Sequence, residues 1–156
     1  MFSVPSPFIT GNTPMPSPLI QQGGYVLPLS QSFIRILLDI VSQQPPHKHP
    51  ITGLTINFRD PDYSSEKGGY HPVEIRLIPA GNNWQLDYVT DFHYVGYPWP
   101  ELEKDVDVSW TQQYTCLSLC GELSPADARE FWKTWESNFM TYHEMGVFMT
   151  HILWES

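Results

Sequence analysis

The stretch LTINFRDPDYSSEKGGYHPVEIRL, residues 54–77, decides how the chain folds. Leu54, Ile56 and Phe58 alternate with Thr55, Asn57 and Arg59, and Val73, Ile75 and Leu77 alternate with Glu74 and Arg76. Successive side chains of an extended backbone point to opposite faces, so each end reads as a strand with one apolar face and one wet face. Between them, Pro61 fixes one dihedral, Asp and Ser side chains bond nearby amides, and Gly68–Gly69 supplies positive φ. The stretch reads as two antiparallel strands joined by a long polar connection.

The same period continues downstream. After PAGNN, residues Trp84, Leu86, Tyr88, Phe92 and Tyr94 are expected on one face, with Gln85, Asp87, Asp91 and His93 on the other. VGYPWPELEKD (95–105) reads as a loop set by Pro98 and Pro100, DVDVSW (105–110) as a further alternating strand, and YTCLSLC (114–120) as a central strand covered on both faces. A parallel sheet would need helical crossovers and continuous apolar runs, and neither is present.

Two helices flank this region. SQSFIRILLDIVSQQ (30–44) has Ser30 as its cap, an apolar face of Phe33, Ile34, Leu37, Leu38 and Val41, and a stop at Pro45–Pro46. SPADAREFWKTWESNFMTYHEMG (124–146) opens with Ser124 as cap and Pro125 at the first helical position, and Gly146 terminates it. Its stripe is Ala128, Phe131, Trp132, Trp135, Phe139 and Tyr142, with Arg129, Glu130, Lys133 and Glu136 expected in water. VFMTHILWE (147–155), rich in β-branched and aromatic residues, is a final strand. A sheet with one apolar face must cover it, so both helices are expected on one face of a curved antiparallel sheet. The fold class is α+β, a meander in a single domain over 30–156. Residues 1–29 form a proline-rich extended arm whose Phe2, Phe8, Ile9, Leu19, Ile20, Tyr25 and Leu27 are too apolar for a purely disordered tail. Parts of it should lie on the domain or on a neighbouring subunit.

The net charge of −9 opposes binding to nucleic acid or to an anionic membrane surface. It permits a basic protein partner. The N-terminus has neither the basic region of a signal peptide nor a membrane-length apolar run. Cys116 and Cys120, the two cysteines, are placed in one strand about 13 Å apart, too far for a disulfide, and are expected as buried free thiols in a reducing cytoplasm.

Candidate sites are each weighed against a plainer role. Asp60, Asp62 and Ser64 start a calcium-loop pattern that fails where Ser65 and His71 replace the required Gly and Glu. Asp60, Asp62, Glu66 and His71 could hold a divalent metal for hydrolysis, but nothing in the sequence shows that they converge. His47 and His49 in PPHKHP (45–50) belong to a solvated loop. No activated nucleophile, dinucleotide fingerprint or phosphate loop is present, and no metal or cofactor is expected. Glu101, Glu103, Asp105 and Asp107 make either a docking edge or a solvated, edge-protecting run. Tyr94, Tyr97 and Trp99, in a proline-fixed loop, are either anchors for a partner or a cap on the core.

NFRDPDYSSEKGGYHPVEIRL (57–77) resembles the signature segment of a gammaproteobacterial family known as a domain of unknown function, some of whose members lie on mobile genomic islands. The resemblance runs from about residue 30 to the end. That family's fold is similar to that of the mitochondrial acidic matrix proteins, which include the receptor for the globular heads of complement. The resemblance implies a curved antiparallel sheet with flanking helices, an acidic ring-shaped oligomer, and action by binding other proteins. It supplies no catalytic residues. The expected function is therefore a non-enzymatic, oligomeric, cytoplasmic protein-binding protein. Asp60, Asp62, Tyr63, Glu66 and His71 form its partner-binding loop, with Tyr97 and Trp99 as aromatic anchors. The alternatives are a small apolar ligand held between the sheet and the C-terminal helix, and the metal hydrolase.

Overall fold

The computed structural model describes residues 19–46 and 49–156, so His47 lies outside the described residues. In chain order the elements are β1 (Ile20–Gln21), α1 (Gln31–Gln43), β2 (Gly53–Arg59), β3 (Val73–Ala80), β4 (Asn83–Val95), β5 (Glu101–Ser109), β6 (Tyr114–Leu117), β7 (Gly121–Glu122), α2 (Pro125–Glu144) and β8 (Met149–Glu155). The described strands make one curved sheet in the order β7-β6-β5-β4-β3-β2-β8. Every pairing along that path is antiparallel, and β1 adds a two-residue parallel pairing to β4. This is the α+β meander that the alternation of 54–77 demands, and Leu54 pairs with Leu77, Ile56 with Ile75 and Phe58 with Val73 as that reading requires.

Both helices roof one face. Phe33, Leu37 and Ile40 of α1 and Ala128, Trp132 and Phe139 of α2 are buried over Leu54, Ile56, Phe58, Ile75, Leu77, Val89 and Val108. Phe33 meets Trp132 edge-on at 5.5 Å. Along α2, Trp132, Trp135 and Phe139 stack at successive 5.2 Å separations, because residues three and four apart share a helix face. Phe148, past the helix, continues the stack from Phe139 at 5.6 Å. The arm contributes to this core within its described part: Ile20, Tyr25 and Leu27 are buried, and the Trp110 and Trp132 indoles donate to the carbonyls of Leu27 and Pro28.

Several local expectations are corrected. In β4, Asp87 is an extra residue: Arg76 pairs with Tyr88 but Leu77 with Leu86. One inserted residue exchanges the faces. Leu86 and Val89 therefore face the core, Tyr88 turns to the other face and donates to Glu74, and Asp91 lands on the core side. β5 starts at Glu101, so the first half of the expected 95–105 loop is followed by ladder rather than more loop. There β5 extends past β6 and past the helical roof, which lets charged residues occupy a strand. YTCLSLC is not central. It supplies only β6, next to the short edge strand β7, and then turns, leaving Leu119 94% exposed and Cys120 exposed rather than buried. Gly121, at φ +74°, closes that turn.

Glu136 is buried, not in water. Its carboxylate accepts from the Ser30 amide at 3.0 Å, tying α2 to the start of α1, and Ser30 in turn caps Phe33. Burial raises the Glu136 pKa above the ordinary carboxylate value, outweighing the Ser30 bond. A raised folded-state pKa means that the folded protein binds more protons than the unfolded chain. Stability associated with this group is thus present at acid pH and is lost as pH rises through the folded pKa. Glu136→Gln keeps an amide oxygen for Ser30 and removes the buried charge. Urea midpoints at acid and mildly alkaline pH should show the variant gaining on the wild type as pH rises. Parallel pH profiles would contradict a charge penalty here.

Candidate functional site

The connections β2–β3, β4–β5 and α2–β8 all emerge at one end of the sheet, because these elements run antiparallel. The β2–β3 connection is organised by Asp60. One carboxylate oxygen accepts from the Asp62 amide (2.9 Å) and the other from the Tyr70 amide (3.0 Å). Ser64 and Gly68 close a miniature hairpin through two backbone bonds, and the Ser64 hydroxyl accepts from Lys67 N–H. Asp60 is thus a framework residue, while Asp62 and Glu66 are exposed on the loop.

Tyr63 links this loop to the next. Its ring stacks on Tyr94 at 5.2 Å, and its hydroxyl accepts from the Tyr94 amide. The two segments singled out from the sequence therefore stand side by side. Beyond Tyr94 the chain turns at Gly96 (φ +105°) and presents Tyr97, 97% exposed, and Trp99, 83% exposed. Neither ring caps the core. Glu101 and Glu103 follow on the exposed end of β5.

His71 packs against Tyr63, ring to ring at 5.6 Å, and turns its Nδ1 toward a cleft. This cleft of about 410 Å³ opens between the sheet and the second half of α2, walled by Tyr70, Phe131, Trp135, Tyr142 and Phe148. At its floor His71 Nδ1 lies 2.7 Å from Asp91 Oδ1 and 3.7 Å from Asp105 Oδ2. The second oxygen of Asp91 accepts from Trp135 Nε1 (2.9 Å), and the second oxygen of Asp105 accepts from the Ser118 hydroxyl (2.6 Å). His93 approaches Asp105 from the other side at 3.8 Å. Hydrogen bonding to Asp91 raises the His71 pKa above its ordinary value; burial opposes this, and the charges of Asp91 and Asp105 add to it. One imidazole and two carboxylates thus meet at this end of the cleft, faced by aromatic walls.

Of these three floor residues, Asp91 is no candidate in the sequence, and Asp105 enters there only as part of the acidic run 101–107. Asp91 sits on the core face only because of the Asp87 bulge. Asp105 is itself a bulged residue: Asp91 pairs with Val106 and Phe92 with Lys104, so Asp105 has no partner across the ladder. The set Asp60, Asp62, Glu66 and His71 is not assembled. Among the described residues the converging donor group is His71, Asp91 and Asp105. No local signal marks them, since Asp91 and Asp105 both fit the polar phase of the alternation, and their convergence is legible only once strands are paired.

Comparison with known proteins adds the following. A family model described as a protein of unknown function (DUF2787) matches residues 31–153. Among solved structures, a hypothetical protein from the VSP-II pathogenicity island of Vibrio cholerae is 31% identical with a TM-score of 0.73, over 83% of this chain and 97% of its own. A conserved hypothetical protein from pathogenicity island VPI-2 of Vibrio cholerae O1 biovar eltor is 34% identical with a TM-score of 0.75, over 86% of this chain and 100% of its own. That protein is described as sharing structural homology with the human P32 protein. No curated protein matches the chain. Among the described residues no helix is long and apolar enough to cross a membrane.

Proposed function

We propose, from the premise that this chain belongs to the DUF2787 family of proteins of unknown function, that it is a non-enzymatic interaction protein that binds a basic protein segment at the end of the sheet carrying Tyr63, Tyr97 and Trp99. The observation that carries this reading is the near-complete exposure of Tyr97 and Trp99 on a proline-fixed loop. Large rigid aromatics held in water cost solvation and gain it back on docking, and such residues dominate binding energies. Glu101, Glu103, Asp62 and Glu66 around them, on a chain of net charge −9, favour Lys and Arg on the partner. The homology of one solved relative to human P32 agrees with the protein-binding role that the sequence resemblance implies.

The test is binding of a fluorescently labelled peptide that alternates lysine with leucine, read by anisotropy. Tyr97→Ala and Trp99→Ala should each weaken binding about tenfold or more. Glu101→Gln with Glu103→Gln should flatten the loss of affinity between about 50 mM and about 300 mM salt. Absence of binding, or affinity unchanged by all four substitutions, would remove the reading. Self-association belongs to the same proposal and is supported by Met149 and Leu153, both exposed on the edge strand β8. Light scattering at high concentration should give a mass above one chain, and a strict monomer would remove that part.

The cleft between sheet and α2 supports a second reading, a small-ligand-binding protein. It occupies the place where such a pocket is expected, and its volume falls in the range of ligand sites.

A further inference from the structure

We infer that His71, Asp91 and Asp105 form a binding site for one divalent transition-metal ion of the zinc class, with the ion's open positions facing the cleft. The site adjoins the aromatic surface through the contact of His71 with Tyr63, but uses none of its exposed rings, and the inference does not depend on the partner reading.

The donor geometry comes first. One imidazole nitrogen and one oxygen from each carboxylate all lie within 4.8 Å of one another. An ion bound at about 2.0–2.2 Å to nitrogen and oxygen needs its ligand atoms roughly 3.0–3.5 Å apart. The separations of His71 Nδ1 to Asp91 Oδ1 (2.7 Å) and to Asp105 Oδ2 (3.7 Å) bracket that range, and the two carboxylate oxygens, within 4.8 Å of each other, close toward the ion by side-chain rotation. With the ion bound, Nδ1 gives its lone pair to the metal in place of the hydrogen bond to Asp91, and the neutral imidazole carries its hydrogen on Nε2.

The supporting contacts come second. Metal-binding carboxylates are held by outer partners that fix which oxygen faces the ion. Here the non-converging oxygen of Asp91 is held by Trp135 and that of Asp105 by Ser118. Each carboxylate thereby turns its other oxygen toward His71 Nδ1. Placement comes third. Asp91 is only 9% exposed, on a sheet face whose neighbours Val73 and Val106 are buried hydrophobics. A carboxylate there is costly unless paired, and a strand bulge delivers Asp105 beside it. The strands hold both rigidly, and the cleft leaves room for water or a further ligand. One nitrogen and two carboxylate oxygens suit zinc-class ions, whereas calcium calls for more oxygens.

The experiment uses the full chain after chelator treatment, titrated with Zn²⁺ by calorimetry and with Co²⁺ by visible absorption. The expected result is one equivalent bound, a Co²⁺ spectrum of a low-coordinate nitrogen and oxygen site, and about tenfold or greater weakening in His71→Gln and in Asp105→Asn. Asp105 is less buried than Asp91 and its variant should remain folded, so it decides the matter if His71→Gln does not fold. His151→Ala, an exposed histidine on β8, should bind as the wild type does. Substoichiometric binding by the wild type, full affinity in the folded Asp105→Asn protein, or loss in His151→Ala would each overturn the site.

Discussion

Trp132→Ala is expected to lower the unfolding free energy by about 3–5 kcal/mol. Trp132 is 1% exposed and is the hub of the roof. It packs edge-on against Trp110 at 4.8 Å and Phe33 at 5.5 Å, and stacks on Trp135 at 5.2 Å. Its indole N–H also donates to the Pro28 carbonyl, fixing the end of the arm just before α1. Truncation leaves a cavity between both helices and the sheet and removes that hydrogen bond. The urea midpoint is the readout. Trp132→Phe keeps most of the contact area and should lose clearly less. A loss below about 1 kcal/mol for the alanine variant would mean that α2 does not roof the sheet through this residue.

Gly69→Ala is expected to cost about 2–3 kcal/mol, against about 1 kcal/mol for Gly68→Ala. Both glycines have positive φ, +133° at Gly69 and +71° at Gly68. Only at Gly69 does a Cβ collide, 2.9 Å from Asp60 Oδ2 and 3.0 Å from the Tyr63 Cα. The Tyr63 contact is backbone and cannot swing aside. Around Gly68 there is open space. The Gly69 variant should therefore disturb the loop that Asp60 organises, and NMR should show loss of the Tyr63–Tyr94 ring contact. Equal losses for the two variants, with that contact intact in both, would contradict the packing described for this loop.

The elements most legible in the sequence were those specified locally. Ser124 and Pro125 announce the start of α2, and its hydroxyl does accept from the Asp127 amide. The alternation of 54–58 and 73–77 states both strands and their pairing. What was not legible depends on partners far along the chain. A bulge is a property of two strands, so nothing local to Asp87 or Asp105 reveals that one residue is left over opposite Arg76–Leu77 or Asp91–Phe92. Glu136 matches the helix period of neither face decisively, and the amide of Ser30, 106 residues away, helps to make its burial tolerable. The candidate site divides the same way. The nearness of the Tyr63 loop to the Tyr94–Trp99 loop follows from antiparallel pairing. His71 meets residues 20 and 34 positions downstream, a convergence set by the register of β3, β4 and β5.

The physical picture is of two neighbouring candidate sites. Aromatic rings and carboxylates stand in water at the end of the sheet, while a hydrogen-bonded histidine and two aspartates sit inside the neighbouring cleft. The first arrangement suits a flat, basic partner, and the second suits a small or ionic ligand.

Hydrogen–deuterium exchange of the full chain, with and without a saturating lysine-rich peptide, tests the central claim of partner binding most directly. Slowed exchange confined to residues 60–71 and 94–103 is the outcome the account predicts. Protection confined to α1 or β8, with the Tyr97–Trp99 segment exchanging as fast as in the free protein, would contradict it.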